Sequence, residues 1–117
     1  MIRAEQTQPF WKKWGFREET KVESQRSWKV WIYPDGQIST ILPPIDLNSL
    51  FTYVVPRLYE LGYYYELFQW NNGQHKAIIN KRASGWSVTV SDATSTDPAT
   101  AFFLALKRSK WVKLSGH

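Results

Sequence analysis

The feature that most limits the fold is a stripe of apolar residues at helical spacing between residues 47 and 61. Its members recur at intervals of three and four: Leu47, Leu50, Phe51, Val54, Val55, Leu58 and Leu61. This periodicity predicts an amphipathic helix with one buried face. Pro56 lies inside the pattern and lacks the backbone N–H that a helix interior uses, so we expect a kink there. Asp46 or Asn48 can cap the first turn, and Gly62 ends the helix.

A three-stranded antiparallel meander is predicted to follow this helix. Its strands are expected at residues 63–70, 74–81 and 86–91. An Asn-Asn-Gly sequence between the first two strands is typical of a hairpin turn. In the third strand we expect Trp86, Val88 and Val90 to face the helices, because they alternate with serine and threonine.

A second long helix is predicted at the end of the meander. Asp97 is placed to cap it and Pro98 suits its first turn, so we expect a helix over residues 98–110. The two helices should pack on the meander through one core, made of Leu50, Val54, Leu58, Val88, Val90, Phe102 and Leu106. This order of elements predicts the α+β fold class.

The N-terminal region is predicted to add a short helix and a hairpin. A Pro-Asp-Gly turn at residues 34–36 separates two segments rich in β-forming residues. The segment before the hairpin is polar and mixed in charge, which indicates a loop. The expected elements are a helix at 7–14, a loop at 17–26 and strands at 27–33 and 37–42.

The length of 117 residues predicts a single domain over residues 1–117. Within this domain, differences in composition separate three segments. We distinguish a tryptophan-rich N-terminal extension (1–26), an α+β core (27–110) and a basic tail (111–117).

Three short motifs resemble the phage ABA sandwich domain, a family of small phage and prophage proteins. They are Leu61-Gly62-Tyr63, the strand with Trp86, Val88 and Val90, and Asp97-Pro98-Ala99-Thr100-Ala101 leading to Leu104-Ala105-Leu106. The resemblance covers roughly residues 37–110. It implies an α/β/α layered sandwich and a viral or prophage origin, and it supplies no catalytic residues.

The side-chain inventory argues against an enzyme. The chain has no cysteine, and its two histidines are His75 and His117. Cysteine-based metal sites and thiolate chemistry are therefore excluded. We interpret His75 as a surface or packing residue, and we expect no cofactor and no metal. No apolar segment is long enough to span a bilayer, so we expect no membrane association and a cytoplasmic location, in the host cell if the protein is viral.

The net charge of +5 comes mostly from the C-terminal end, where Lys107, Arg108, Lys110 and Lys113 lie without an acidic neighbour. Basic groups are favourable in the last turn of a helix. They also suit an electrostatic binding tail. The sequence leaves both interpretations open.

Aromatic residues make up 16 % of the chain, with seven tryptophans. Aromatics interleaved with basic residues stack nucleotides in RNA-binding sheets, although a second helix layer in a sandwich would cover that face of the meander. Exposed aromatics also mark interaction surfaces. The candidate binding surface therefore consists of Trp11, Trp14, Trp31, Tyr33, Trp70, Lys76, Lys81, Arg82 and Trp111.

Two functions remain from different classes. The leading hypothesis is a non-enzymatic phage or prophage accessory protein that acts by binding, either to a host or phage protein or to itself as a homo-oligomer. The N-terminal tryptophans or Trp111 would then lie in the contact between copies. The alternative is a protein that binds or sequesters nucleic acid or a nucleotide through aromatic and basic side chains.

Overall fold

The computed structural model describes residues 4–69, 71–83 and 85–109, and the side chains of all of these except residues 4–6, 71 and 83. The described part contains four α-helices and two three-stranded antiparallel sheets, which confirms the α+β fold class. The elements are α1 (Ala4–Lys13), β1 (Arg17–Glu23), β2 (Arg26–Ile32), β3 (Ile38–Ser39), α2 (Leu47–Tyr53), α3 (Val55–Glu60), β4 (Tyr63–Gln69), β5 (His75–Ala83), β6 (Trp86–Ser95) and α4 (Pro98–Arg108). They form two compact units, an N-terminal unit that ends at Pro44 and a C-terminal unit that begins at Ile45.

The sheet of the N-terminal unit has the strand order β1-β2-β3. The loop predicted at 17–26 is wrong, because β1 pairs with β2 along its whole length, from Arg17 opposite Ile32 to Glu23 opposite Arg26. An exposed edge strand buries neither face, so it shows no apolar alternation in the sequence. Glu19 instead forms ion pairs with Arg17 and Lys21 along one face of the strand.

The break between α2 and α3 follows from Pro56. Val54 lies between the two helices, and Pro56 occupies the first turn of α3, where its missing N–H costs nothing. Val54 still donates to the carbonyl of Leu50 and accepts from the amide of Leu58, so the apolar stripe stays in phase across the break. The predicted kink is confirmed. The carboxylate of Asp46 caps α2 by accepting from the amide of Ser49.

The sheet of the C-terminal unit has the order β4-β5-β6 and contains one irregularity. Ile79 is paired with Ser91 and Asn80 with Thr89, so Val90 has no partner on β5 and forms a β-bulge. The bulge changes which residues of β6 meet the helices. Beyond it, the face that carries buried Ile79 receives Ser91 and then Ala93.

The predicted burial of Val88 and Val90 is wrong. Val88 is 39 % exposed and Val90 is only partly buried. Val88 does lie on the helix-facing side, together with Trp86, but this end of the sheet extends past α4. The hydroxyl of Ser91 donates to the carbonyl of Ala105 in the last turn of that helix. The other predicted core residues, Leu50, Val54, Leu58, Phe102 and Leu106, are fully buried as expected.

Candidate functional site

Four residues of the candidate binding surface lie in the interior rather than on a surface. Trp11, Trp14, Trp31 and Tyr33 are all buried. The expectation that these aromatics form an exposed cluster is therefore wrong. Their burial has a clear cause, since large rings supply much apolar area to a unit with only three strands and one helix.

Ring contacts hold this aromatic core together. The ring of Trp11 packs on Phe16 at 4.9 Å between centroids, and Phe16 packs on Tyr33 at 4.8 Å. The indole N–H of Trp11 donates to the carbonyl of Pro43 at 3.1 Å, and the hydroxyl of Tyr33 donates to that of Ile41 at 2.8 Å. Both polar tips are satisfied within the unit, as buried Trp and Tyr require.

The basic candidates separate along β5. Lys76 lies at one end of the strand opposite Phe68, whereas Lys81 and Arg82 lie at the other end. Trp70 and Trp111 are outside the described residues, as is the basic tail 111–117. Among the described residues of the predicted surface, only Lys81 and Arg82 therefore lie together in an exposed position.

Aromatic side chains lie on both sides of the sheet next to Lys81 and Arg82. Lys81 pairs with Tyr63 on one side and with Val88 on the other, and these three side chains share the helix-facing side of the sheet. The Lys81 ammonium lies 5.9 Å from the centre of the Tyr63 ring. Trp86, two residues from Val88 on the same side, is 65 % exposed.

The opposite side of the same sheet end repeats this arrangement. The Arg82 guanidinium lies 5.6 Å from the centre of the Tyr64 ring. The backbone amide of Arg82 donates to the carbonyl of Gly62, which fixes the start of β4 against β5. We call the whole region the sheet-end surface, defined by Tyr63, Tyr64, Lys81, Arg82, Trp86 and Val88.

The electrostatics of the sheet-end surface are those of a cationic site. Neither Lys81 nor Arg82 forms an ion pair with a carboxylate in the described part of the chain. Residues 80–91 contain these two cations and no acidic residue. The site can therefore accept negative charge without first breaking an ion pair.

A polar ladder borders the Arg82 side of this surface. The amide of Asn80 donates to the Glu66 carboxylate at 2.8 Å, and its carbonyl oxygen accepts from the Thr89 hydroxyl at 3.0 Å. Asn80 is buried. Since each of these polar groups has its partner inside the sheet, the ladder has a structural role and fixes the three strands in register.

No metal centre is found among the residues that the structure describes. They contain no cluster of three or more His, Asp or Glu side chains placed to hold a metal ion. His75 starts β5, where it pairs with Gln69 on one side and Ser95 on the other. None of the helices in the described part of the chain has the length and apolarity needed to cross a membrane.

The candidate binding surface expected from the sequence does not include Trp86, Tyr63 or Tyr64. Trp86 was assigned to the core because it alternates with serine and threonine. A useful signal was present at the adjacent turn, since Gly85 directly precedes Trp86 and places it at the extreme end of the strand. Residues at a strand end are the first to extend beyond a covering helix.

Comparison with known proteins gives no match, whether to a family model, to a curated protein sequence or to a solved structure. The resemblance to the phage ABA sandwich domain therefore stays a prediction.

Proposed function

We propose that this protein acts by binding single-stranded nucleic acid at the sheet-end surface. The observation that carries the proposal is the position of exposed Trp86 beside two cations that have no acidic partner among the residues that the structure describes. This is the alternative hypothesis of the sequence analysis. It gains weight because the N-terminal aromatics, on which the hypothesis of an exposed self-association surface was built, are used in a core.

Base stacking is the first interaction that the site supports. Any base can stack on an exposed indole, because every base has a flat π-face, and this makes recognition tolerant of sequence. Trp86 is the most exposed tryptophan of the described residues and lies at the end of a strand. A base in a duplex is already stacked on its neighbours, so the platform favours single strands.

Phosphate contact is the second interaction. Lys81 and Arg82 are adjacent in β5, so their side chains leave the sheet on opposite sides. Tyr63 and Tyr64 hold the two cationic groups by cation–π contact, which limits the rotamer freedom lost on binding. A strand that crosses the end of the sheet would meet one cation on each side of it.

The test is a titration of the full chain into a labelled twelve-nucleotide oligothymidine, followed by fluorescence anisotropy. Two phosphate contacts predict a slope of about −1.4 in log K against log[salt], which is about a sevenfold loss of affinity between 50 and 200 mM salt. Trp86→Ala should weaken binding by about 1–3 kcal/mol, the usual value of one base–aromatic stack. The double variant K81A/R82A should remove the salt dependence that belongs to this site.

The matched control is Trp28→Ala. Trp28 is also exposed and also has a guanidinium over its ring, that of Arg26 at 5.9 Å, but it lies in the N-terminal unit. It should leave the affinity unchanged, and so should His75→Gln. Equal losses in the Trp86 and Trp28 variants, or tighter binding of a duplex of the same length, would reject the proposal.

A further inference from the structure

The two sheets have four edge strands, and three of them are protected against pairing with another chain. In β1, five of seven residues are charged: Arg17, Glu18, Glu19, Lys21 and Glu23. β3 has only two residues. β6 is interrupted by the bulge at Val90. Charge, shortness and bulges are the means by which proteins keep edge strands from pairing with other chains.

The fourth edge strand, β4, has none of these protections. It is seven residues long, pairs with β5 without a register shift, and contains no proline. Glu66 is its only charged residue, among three tyrosines, a leucine and a phenylalanine. A regular, aromatic-rich edge of this kind is a template for one further strand.

An aromatic cluster lies directly above this edge on the helix-facing side. The ring of Tyr65 in β4 stacks with Phe51 of α2 at 5.7 Å and with Tyr59 of α3 at 6.4 Å. Phe51 is 39 % exposed and Tyr59 is 56 % exposed. Burial and the neighbouring Tyr59 raise the pKa of the Tyr65 phenol. We call these three rings the aromatic shelf.

We propose that β4 pairs with β4 of a second copy of this chain, in an antiparallel two-fold dimer that also buries the aromatic shelf. A two-fold interface uses the same patch on both copies, so the patch must be complementary to itself. β4 meets this requirement in a register centred on Tyr65. Tyr63 then lies opposite Leu67 of the other copy, and both belong to the apolar, helix-facing side.

The single charge of β4 selects this register. Centring the pair on Glu66 would place two carboxylates directly opposite each other, which is unfavourable. Centring it on Tyr65 places Glu66 opposite Tyr64 of the other copy, the ring that the Arg82 guanidinium covers. Each carboxylate then approaches a cation across the interface.

The experiment is light scattering on the full chain between about 1 and 200 µM. A dimer of about 27 kDa, twice the chain mass of 13.7 kDa, should form as concentration rises. Tyr59→Lys places like charges near the two-fold axis and should raise the dimer dissociation constant at least about tenfold. Trp86→Lys is the matched control and should leave the mass unchanged, because Trp86 is a comparably exposed aromatic residue of the same unit that lies away from β4.

Hydrogen exchange is a second measurement that needs no variant, so it remains informative if Tyr59→Lys fails to fold. In the unmodified protein, backbone amides of alternate residues in 63–69 should exchange with deuterium more slowly at 200 µM than at 1 µM. A 13.7 kDa species at every concentration would overturn the proposal, and so would a dimer that Tyr59→Lys does not weaken. Trp86 lies on β6, at the opposite edge of the sheet from β4, so Trp86→Lys tests nucleic-acid binding without changing the β4 edge, and the two proposals can fail separately.

Discussion

Each of the two units contains a sheet of three consecutive antiparallel strands, but the side chains that form the core on that sheet differ between the units. The N-terminal unit fills its interior with aromatic rings and leaves its hairpin charged and exposed. The C-terminal unit fills its interior with apolar stripes from three helices, mostly aliphatic but including Phe102 and Phe103, together with small residues of the sheet such as Ala77 and Ala93. A three-stranded sheet is only marginally stable by itself, so each unit needs additional buried apolar side chains to form a stable core.

The same contrast extends to the surfaces. Charged residues on the edge strand protect the N-terminal sheet, whereas the C-terminal sheet presents aromatics at its end and at β4. Aromatic residues therefore occur both in the core and on the surface, since Phe102 and Phe103 are buried in the C-terminal unit and Trp28 is exposed in the N-terminal unit. The number of tryptophans in a chain therefore does not indicate a binding protein. What matters is whether each ring is buried or exposed.

The largest expected effect concerns the aromatic core of the N-terminal unit. Trp11→Ala should lower the free energy of unfolding by about 3–5 kcal/mol, because it removes a fully buried ring and leaves a cavity. Urea denaturation followed by far-UV circular dichroism measures it. Trp28→Ala is the control and should cost less than about 1 kcal/mol. Similar losses for the two variants would contradict the division into core and surface tryptophans.

The aliphatic core of the C-terminal unit should respond almost as strongly. Leu58→Ala and Leu106→Ala each remove a fully buried side chain and should cost about 2–5 kcal/mol in the same denaturation experiment. Val88→Ala, at a half-exposed position of the same unit, should cost clearly less. Losses below about half a kcal/mol at both leucines would mean that the helical stripes do not form this core.

The smallest effect expected in this comparison comes from the helix caps of the C-terminal unit. The Asp97 carboxylate accepts from the Thr100 amide at 2.9 Å and from its hydroxyl at 2.7 Å. Asp97→Ala and Asp46→Ala should each cost about 1 kcal/mol. Asp92→Ala, an exposed residue of β6 outside any cap, serves as the reference. A neutral Asp97→Ala would show that α4 depends on packing alone.

The sequence predicts helices well where a stripe and a cap agree. The stripe from Leu47 to Leu61, its kink at Pro56 and the cap at Asp97 are local features, so local reasoning finds them. The two strands of the β4–β5 hairpin are found for the same reason. The two alternating segments and the turn that joins them lie within about twenty residues, so the pairing is visible in the local sequence.

The errors come from interactions that local pattern does not contain. β1 was missed because its strand identity depends on pairing with β2 rather than on any apolar face of its own. Trp86 was misplaced because the length of α4 relative to β6 decides what is covered. Of the candidate surface, only Lys81 and Arg82 lie at the site. That Tyr63 and Tyr64 are their neighbours follows from the pairing of β4 with β5, which the sequence does not show.

The bulge at Val90 has a consequence for insertions and deletions in the gene. Because Val90 is the one residue of β6 without a partner on β5, loss of its codon would leave Thr89 and Ser91 adjacent in an unbroken ladder with their present orientations. Loss of a codon farther along the strand would instead reverse the side chains between the deletion and the bulge. Codon 90 is therefore a position at which β6 can shorten by one residue and keep both Ser91 and the exposed Trp86 in place.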